Sequence, residues 1–161
     1  MQPFMSQDSP DRQSTNAENL RIGIVAARFN QSLVDCLLER TKKAIIAAGA
    51  QTPHIERTPG SNELPCAAAL LAGSERFDAI IALGVVIAGA TNHHNAIAQS
   101  CAIALHQIAI EKTLPVINGI IVTETKEQAE ERAAGAIDRG SEFALAALEM
   151  AHLKIQWKTN Q

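Results

Sequence analysis

The chain has 161 residues, 47% of them hydrophobic, enough for one compact domain with a three-layer core and too few for a second domain of useful size. Its net charge of −3 and isoelectric point near 5.9, with lysines and arginines scattered rather than striped between aromatics, argue against a nucleic-acid surface. No apolar run reaches the ~18 residues of a membrane span, and Cys36, Cys66 and Cys101 are odd in number and far apart. They read as buried small hydrophobes of a reducing compartment, not as a disulfide framework or a zinc site, so a soluble cytoplasmic protein is expected.

Residues 1–19 are polar and rich in Gln, Ser, Asp and Pro, with no apolar stretch suited to a signal peptide; they predict a mobile tail ahead of a domain over residues 20–155, with residues 156–161 as a C-terminal tail. Leu20 to Ala27 is nearly all apolar after Arg21, the pattern of a strand covered on both faces. From Gln31 to Ala48, Leu33, Cys36, Leu37, Thr41, Ala44, Ile45 and Ala48 recur at helical spacing, and Gly49 supplies a stop. His54 to Thr58 reads as a second strand, turned by Pro59-Gly60. Leu64 to Gly73 reads as a short helix that Ser61 or Asn62 can cap, with Glu63 near its positive end.

Ala79 to Ile87 is the third strand, Asn92 to Lys112 a long helix and Pro115 to Val122 the fourth strand. Thr123 or Thr125 can cap a helix from Lys126 to Ala134, and a link through Asp138-Arg139-Gly140 leads to the last helix, Ser141 to His152. Four apolar strands alternating with helices imply right-handed parallel crossovers. The expected fold is α/β, a three-layer α/β/α sandwich on a four-stranded parallel sheet.

Open sheets of this kind bind ligands at the carboxyl ends of their strands. Those ends carry Arg28-Phe29-Asn30, Pro59 to Glu63, Val85 to His93 and Asn118 to Thr125, four loops that can converge on one pocket. The stretch from Asp78 to His94 is the most telling. A buried strand empties into Ala88-Gly89-Ala90-Thr91-Asn92-His93-His94 at a helix start, where glycines admit close approach, free N–H groups favour an anion and an imidazole can move protons. That combination points to phosphate binding with proton transfer. The helix beyond His93 carries small residues at Ala96, Ala98, Cys101, Ala102, Ala104 and Ala109, and its apolar positions cover more than one face. The second face is expected to pack against copies of the same chain.

Taken in order, Ala27-Arg28-Phe29-Asn30, Pro59-Gly60 with Glu63-Leu64-Pro65, Gly84-Val85-Val86-Ile87, Gly89-Ala90-Thr91 with His93, Glu127-Gln128-Ala129 leading to Arg132, and Ala146-Ala147-Leu148-Glu149-Met150-Ala151 resemble the lumazine synthases of riboflavin biosynthesis, over essentially Leu20 to Leu153. The resemblance implies a flavodoxin-like domain and a cofactor-free transferase. The reaction it implies condenses 5-amino-6-ribitylaminouracil with 3,4-dihydroxy-2-butanone 4-phosphate through an imine, phosphate elimination and ring closure. It further implies that Phe29 stacks on the pyrimidine, that Ser61, Asn62 and Glu63 meet the ribityl chain, and that the backbone of Val85, Val86 and Ile87 lines the heterocycle. Ala90, Thr91 and Arg132 would hold phosphate, and His93 would shuttle protons. Asn118 and Arg132 would help complete a pocket shared between subunits of a homopentamer or an assembly of pentamers, with no metal, nucleic acid or membrane involved.

The chain departs from the family pattern at four places: Asn62 and Asn118 replace apolar or aromatic walls, His94 replaces an aromatic residue, and Ala88 replaces a basic one. Amides in place of apolar walls weaken stacking and desolvation, so the phosphate half of the site is better kept than the pyrimidine half. These departures motivate an alternative, a catalytically altered relative that assembles and binds a flavin-like or phosphorylated ligand. Flavodoxins proper and receiver domains fit poorly: the first strand ends in Arg28-Phe29-Asn30-Gln31, without a hydroxyl- and glycine-rich phosphate loop, and Ala26-Ala27 offers no acidic cluster.

Overall fold

The computed structural model describes Pro10 and residues 16–159. Four strands, β1 (Ile22–Ala27), β2 (His54–Thr58), β3 (Ala79–Ile87) and β4 (Val116–Thr123), form one parallel sheet in the order β2-β1-β3-β4. Helices α1 (Gln31–Ala47), α2 (Leu64–Gly73), α3 (His93–Lys112), α4 (Lys126–Ala133) and α5 (Arg139–Thr159) cover its two faces, and a short 3₁₀ turn over Ser61–Glu63 leads into α2.

The alternation of side chains along a strand divides the core between the faces. Ile22, Ile24 and Ala26 of β1 and Ile81, Leu83 and Val85 of β3 pack with Val34, Leu37 and Ile45 of α1 and Ala144, Ala147 and Leu148 of α5. Val25 and Ala27, with Ile80 and Ala82, pack on the opposite face with Leu64, Ala68 and Leu71 of α2 and Leu105 of α3. Every residue of β1 is buried, and so is β3 up to Val86, as expected of central strands covered on both sides. The expected α/β/α sandwich is the observed one.

The structure moves several expected boundaries. Leu20 and Arg21 precede β1 rather than belong to it: Leu20 is buried, whereas the Arg21 backbone N–H and guanidinium bind the Asp78 carboxylate. Ala17 is buried in the core, so the segment just ahead of β1 is packed; the rest of the expected tail, Pro10 apart, lies outside the described residues. Helix α5 begins before Ser141. Asp138 accepts from the Ser141 backbone N–H at 3.0 Å and caps that start, and Gly140, read from sequence as link, is a helical residue. A Cβ there would lie 2.7 Å from the Leu37 carbonyl, so glycine is what lets α1 and α5 cross closely, with Thr41 Oγ1 donating to the Gly140 carbonyl at 3.1 Å. The same helix continues past His152 to Thr159, taking in residues 156–159 of the expected C-terminal tail.

Two cysteines also differ from expectation. Cys101 is buried, but Cys36 and Cys66 are exposed. The inward stripe of α1 keeps Leu33, Leu37, Thr41 and Ile45 but takes in Val34 and Leu38 on the side away from Cys36, which is left outside it. Gly49 does end α1 in the left-handed region, at φ 89°, as its position beyond the helix predicts.

Candidate active site

Three strand ends meet at one cavity of about 390 Å³, lined by Phe29 and Asn30 after β1, Gly60 to Glu63 after β2, and Val85, Val86, Ile87, Gly89, Thr91, His93, His94 and Ile97 along β3 and the start of α3. The fourth expected loop contributes no lining residue.

The β1 end is shaped by Asn30, which sits in the left-handed region at φ 54°, ψ 44° and opens α1. Asparagine tolerates that conformation better than most residues, and its Nδ2 donates to the Val85 carbonyl at 2.8 Å, tying the β1 end to the β3 end. The Phe29 backbone N–H donates to the Pro59 carbonyl at 3.1 Å and the Arg28 N–H to the Thr58 carbonyl at 2.9 Å, so the β2 end fixes the backbone here. Its ring is 74% exposed. A phenylalanine whose backbone is held while its side chain is packed so little is not part of the core and leaves its ring open to the cavity.

The β2 end is held from below. Ser61 is buried against Gly84, where a Cβ would lie 2.5 Å from Ser61 Oγ and 3.1 Å from Leu64 Cδ1. The Ser61 carbonyl accepts from Cys101 Sγ at 3.3 Å, and burial pushes the Cys101 thiol up from its ordinary value. Glu63 does not use a side chain to cap α2; its Oε2 accepts from the Gly60 N–H at 2.8 Å and closes the turn on itself. No Ser61 or Asn62 side-chain cap forms on α2 either, and Asn62 stays exposed on the rim.

The β3 end runs through Gly89 and Thr91 into α3, whose N-cap position is Asn92, and both Thr91 and His93 are exposed. Ala90 lies between lining residues without lining the cavity itself. His94 differs from His93. Its side chain is only 9% exposed, neither ring nitrogen has a hydrogen-bond partner, and Glu124 Oε1 stands 3.6 Å from Nε2.

Asn118 and Arg132 fall outside the cavity. Asn118 is the third residue of β4, opposite Ala82 in mid-sheet, so it belongs to the body of the edge strand rather than to its carboxyl end. Its Oδ1 accepts from the Ile120 N–H at 3.1 Å. Arg132 is half-buried on α4 and gives Nη1 to the Gln128 carbonyl at 3.0 Å. That helix is capped by Thr125, whose hydroxyl accepts from the Gln128 N–H at 3.2 Å, while Gln128 Oε1 accepts from the Glu124 N–H at 3.1 Å. Backbone N–H donation at this helix start, with the Thr125 hydroxyl, holds the Glu127 carboxyl below its usual value.

Among the described residues no group of three or more His, Cys, Asp or Glu is placed to hold a metal ion, and no helix is long and apolar enough to cross a membrane. Asn30, Gly60, Gly89 and His94 lie in the stretches that sequence reading brought to the pocket, though it named none of them as a binding residue; Ile97 lies beyond those stretches. Asn30 was legible as an αL-tolerant residue between a strand and a helix; Ile97 follows from His93 one helical turn on.

The chain matches the sequence profile of 6,7-dimethyl-8-ribityllumazine synthase over residues 19–155. It is 46% identical over 140 residues to the 6,7-dimethyl-8-ribityllumazine synthase of Aquifex aeolicus (strain VF5), covering 85% of this chain and 91% of that protein. It is 42% identical over 142 residues to the enzyme of the same name from Halorhodospira halophila (strain DSM 244 / SL1), covering 86% and 91%, and 40% identical over 134 residues to that of Polaromonas sp. (strain JS666 / ATCC BAA-500), covering 82% and 85%. A match of this extent, in a chain whose strand ends gather at one cavity, establishes that the protein belongs to the 6,7-dimethyl-8-ribityllumazine synthase family and has lumazine synthase activity.

Proposed function

We propose that the cavity at the ends of β1, β2 and β3 is where this chain condenses 5-amino-6-ribitylaminouracil with 3,4-dihydroxy-2-butanone 4-phosphate. The observation that carries the assignment is the meeting of Phe29, Glu63 and His93 around one space, although they come from three different strand ends. Phe29 offers a ring face to the pyrimidine, and the Val85 to Ile87 stretch that lines the cavity meets its edge. The Ser61–Glu63 turn faces the ribityl chain. Glu63 Oε2 is engaged by Gly60, leaving the other carboxylate oxygen to accept from hydroxyls.

Phosphate is held by N–H groups around Ala90 and Thr91 and by the Thr91 hydroxyl, at the positive end of the long α3 helix. The cation that completes the phosphate site is Arg132. In a single chain it lies outside the cavity, so it is supplied by a neighbouring copy, as is Asn118 from the edge strand β4.

The surface supports such an assembly. Leu70 of α2 and Ile103 and Ile110 of α3 are 72%, 68% and 79% exposed, and Cys101 and Leu105 are the only fully buried residues of α3. An apolar face of that size is costly to leave in water and fits a second copy of the chain. A homopentamer, or an assembly of pentamers, is the state that fits the resemblance.

Imine formation, loss of phosphate and ring closure require protons to move on and off carbon, nitrogen and oxygen. His93, exposed on the cavity wall beside Thr91, is placed for that work. Such catalysis contributes ~10²–10⁴-fold, whereas holding two substrates together can contribute more. The test is to mix purified protein with both substrates and follow the fluorescent lumazine while light scattering reports the assembly. Turnover above the spontaneous background from a pentamer or larger is expected. A monomer that turns over at full rate would contradict the shared site.

A further inference from the structure

His94 is the one cavity-lining side chain in an unsettled state. It stands directly after the proposed proton carrier, is nine-tenths buried, lines the same cavity, and both its ring nitrogens lack hydrogen-bond partners. Buried polar atoms are normally satisfied, and an orphaned pair on a side chain that lines a ligand cavity marks a place where the ligand can supply what the protein does not. Among the described residues, Glu124 is the charged group paired with the ring, its Oε1 3.6 Å from Nε2.

The backbone at Glu124 is held by its surroundings, while its side chain is exposed beside the ring. Its backbone N–H is fixed by the Gln128 side chain, and Gln128 is in turn bound through its N–H to the Thr125 cap of α4. The loop is tied to the β3 end as well, since the Ala88 N–H donates to the Thr123 carbonyl at 2.8 Å. A carboxylate carried on such a frame needs to move only a few tenths of an ångström to accept a hydrogen bond from Nε2–H. Accepting it fixes the tautomer and leaves Nδ1 as an acceptor.

We propose that His94, positioned by Glu124, is a binding residue for the four-carbon sugar phosphate, its Nδ1 accepting from a hydroxyl of that substrate next to the reacting carbons. The inference rests on the assignment of the cavity above. Thr91 and His93, the phosphate-holding and proton-moving residues of that assignment, are its neighbours in sequence and on the cavity wall; Phe29 and the Ser61–Glu63 turn come from the ends of β1 and β2. A hydroxyl is the appropriate partner because an acceptor nitrogen, once Nε2–H is committed to Glu124, requires a donor, and this ketone phosphate carries one free hydroxyl, beside its carbonyl.

The test compares His94→Phe, which fills the space without polar atoms, with His94→Asn, whose amide oxygen can stand near Nδ1, alongside Glu124→Ala and Glu124→Gln. KM is measured separately for each substrate, and binding of the four-carbon phosphate alone is measured by calorimetry. His94→Phe should raise the KM for the sugar phosphate and weaken its binding roughly tenfold, with the pyrimidine KM unchanged. His94→Asn should recover most of that loss. Glu124→Ala should lose about half as many powers of ten as His94→Phe, and Glu124→Gln less. Unchanged sugar-phosphate binding in His94→Phe, or a loss confined to the pyrimidine, would overturn the role. The calorimetry separates this outcome from failure of the cavity assignment: wild-type protein that binds the sugar phosphate through His94 yet forms no lumazine would sink the assignment and leave the His94 contact standing.

Discussion

The centre of the sheet and its edge treat the site differently. At the centre, β1 and β3 lie side by side, buried on both faces, and everything at their carboxyl ends is fixed by contacts within one chain: Asn30 to Val85, Phe29 to Pro59, Ser61 against Gly84. At the edge, β4 and α4 carry Asn118 and Arg132, which make local hydrogen bonds and do not line that cavity. A central strand end can build a pocket from its neighbours on either side. An edge strand has a neighbour on one side only, and its outward side is open to another copy.

That contrast ranks the ways to damage the protein. Gly84→Leu should do most harm, because the new side chain meets Ser61 Oγ and Leu64 in a fully packed core. A destabilisation of about 1–3 kcal/mol is expected, with loss of turnover as the Ser61–Glu63 turn is pushed aside, measured by urea unfolding and the lumazine assay. His93→Ala should leave the fold and assembly intact and lower kcat by roughly 10²-fold without abolishing it, since substrate orientation survives. Retention of the full rate would remove His93 from the chemistry.

At the edge, Arg132→Ala should raise the KM for the sugar phosphate by about tenfold, the size of one charge-assisted hydrogen bond, and leave the melting temperature of the folded subunit almost unchanged. Asn30→Ala returns the test to the centre with a smaller expected effect. It loses the bond to Val85 and leaves alanine in the left-handed region, at a cost of about 1–2 kcal/mol in unfolding free energy.

The smallest effect concerns Cys101. Burial raises its thiol above the ordinary value, so the protonated form is favoured in the folded state. The associated stability is fully present below the unfolded thiol's pKa and is lost as pH rises through the folded one. Alkylation near pH 8 should therefore label exposed Cys36 and Cys66 and spare Cys101 until denaturant is added, which mass spectrometry of the labelled peptides reads directly.

The same division explains what could be read from the sequence. β3 and α2 fall where their apolar patterns put them, and β1 and α3 within two residues, because long apolar runs bounded by glycine, proline or polar turns leave few alternatives. Phe29, Glu63, Val85 and His93 could be placed together because the carboxyl ends of parallel strands share one edge of the sheet. Asn118 could not be placed from spacing, since nothing in Val116-Ile117-Asn118-Gly119 tells mid-strand from strand end; the pairing of Asn118 with Ala82 decides it. Gly140 looked like a link because glycine is usually a breaker. Here the crossing of α1 and α5 makes it a necessity inside a helix. The His94–Glu124 approach joins residues thirty positions apart on two elements, and no periodicity encodes it.

The shared site is tested most directly by mixing subunits. One variant carries Phe29→Asp with His93→Ala, spoiling its own cavity but keeping Arg132; the other carries Arg132→Ala and keeps its cavity. Each alone should form assemblies with little activity at low sugar-phosphate concentration. Co-assembled from unfolded chains, they should exceed the average of the two separate preparations, because some intact cavities then face an intact Arg132. Activity equal to that average at every mixing ratio would contradict a pocket completed between neighbours.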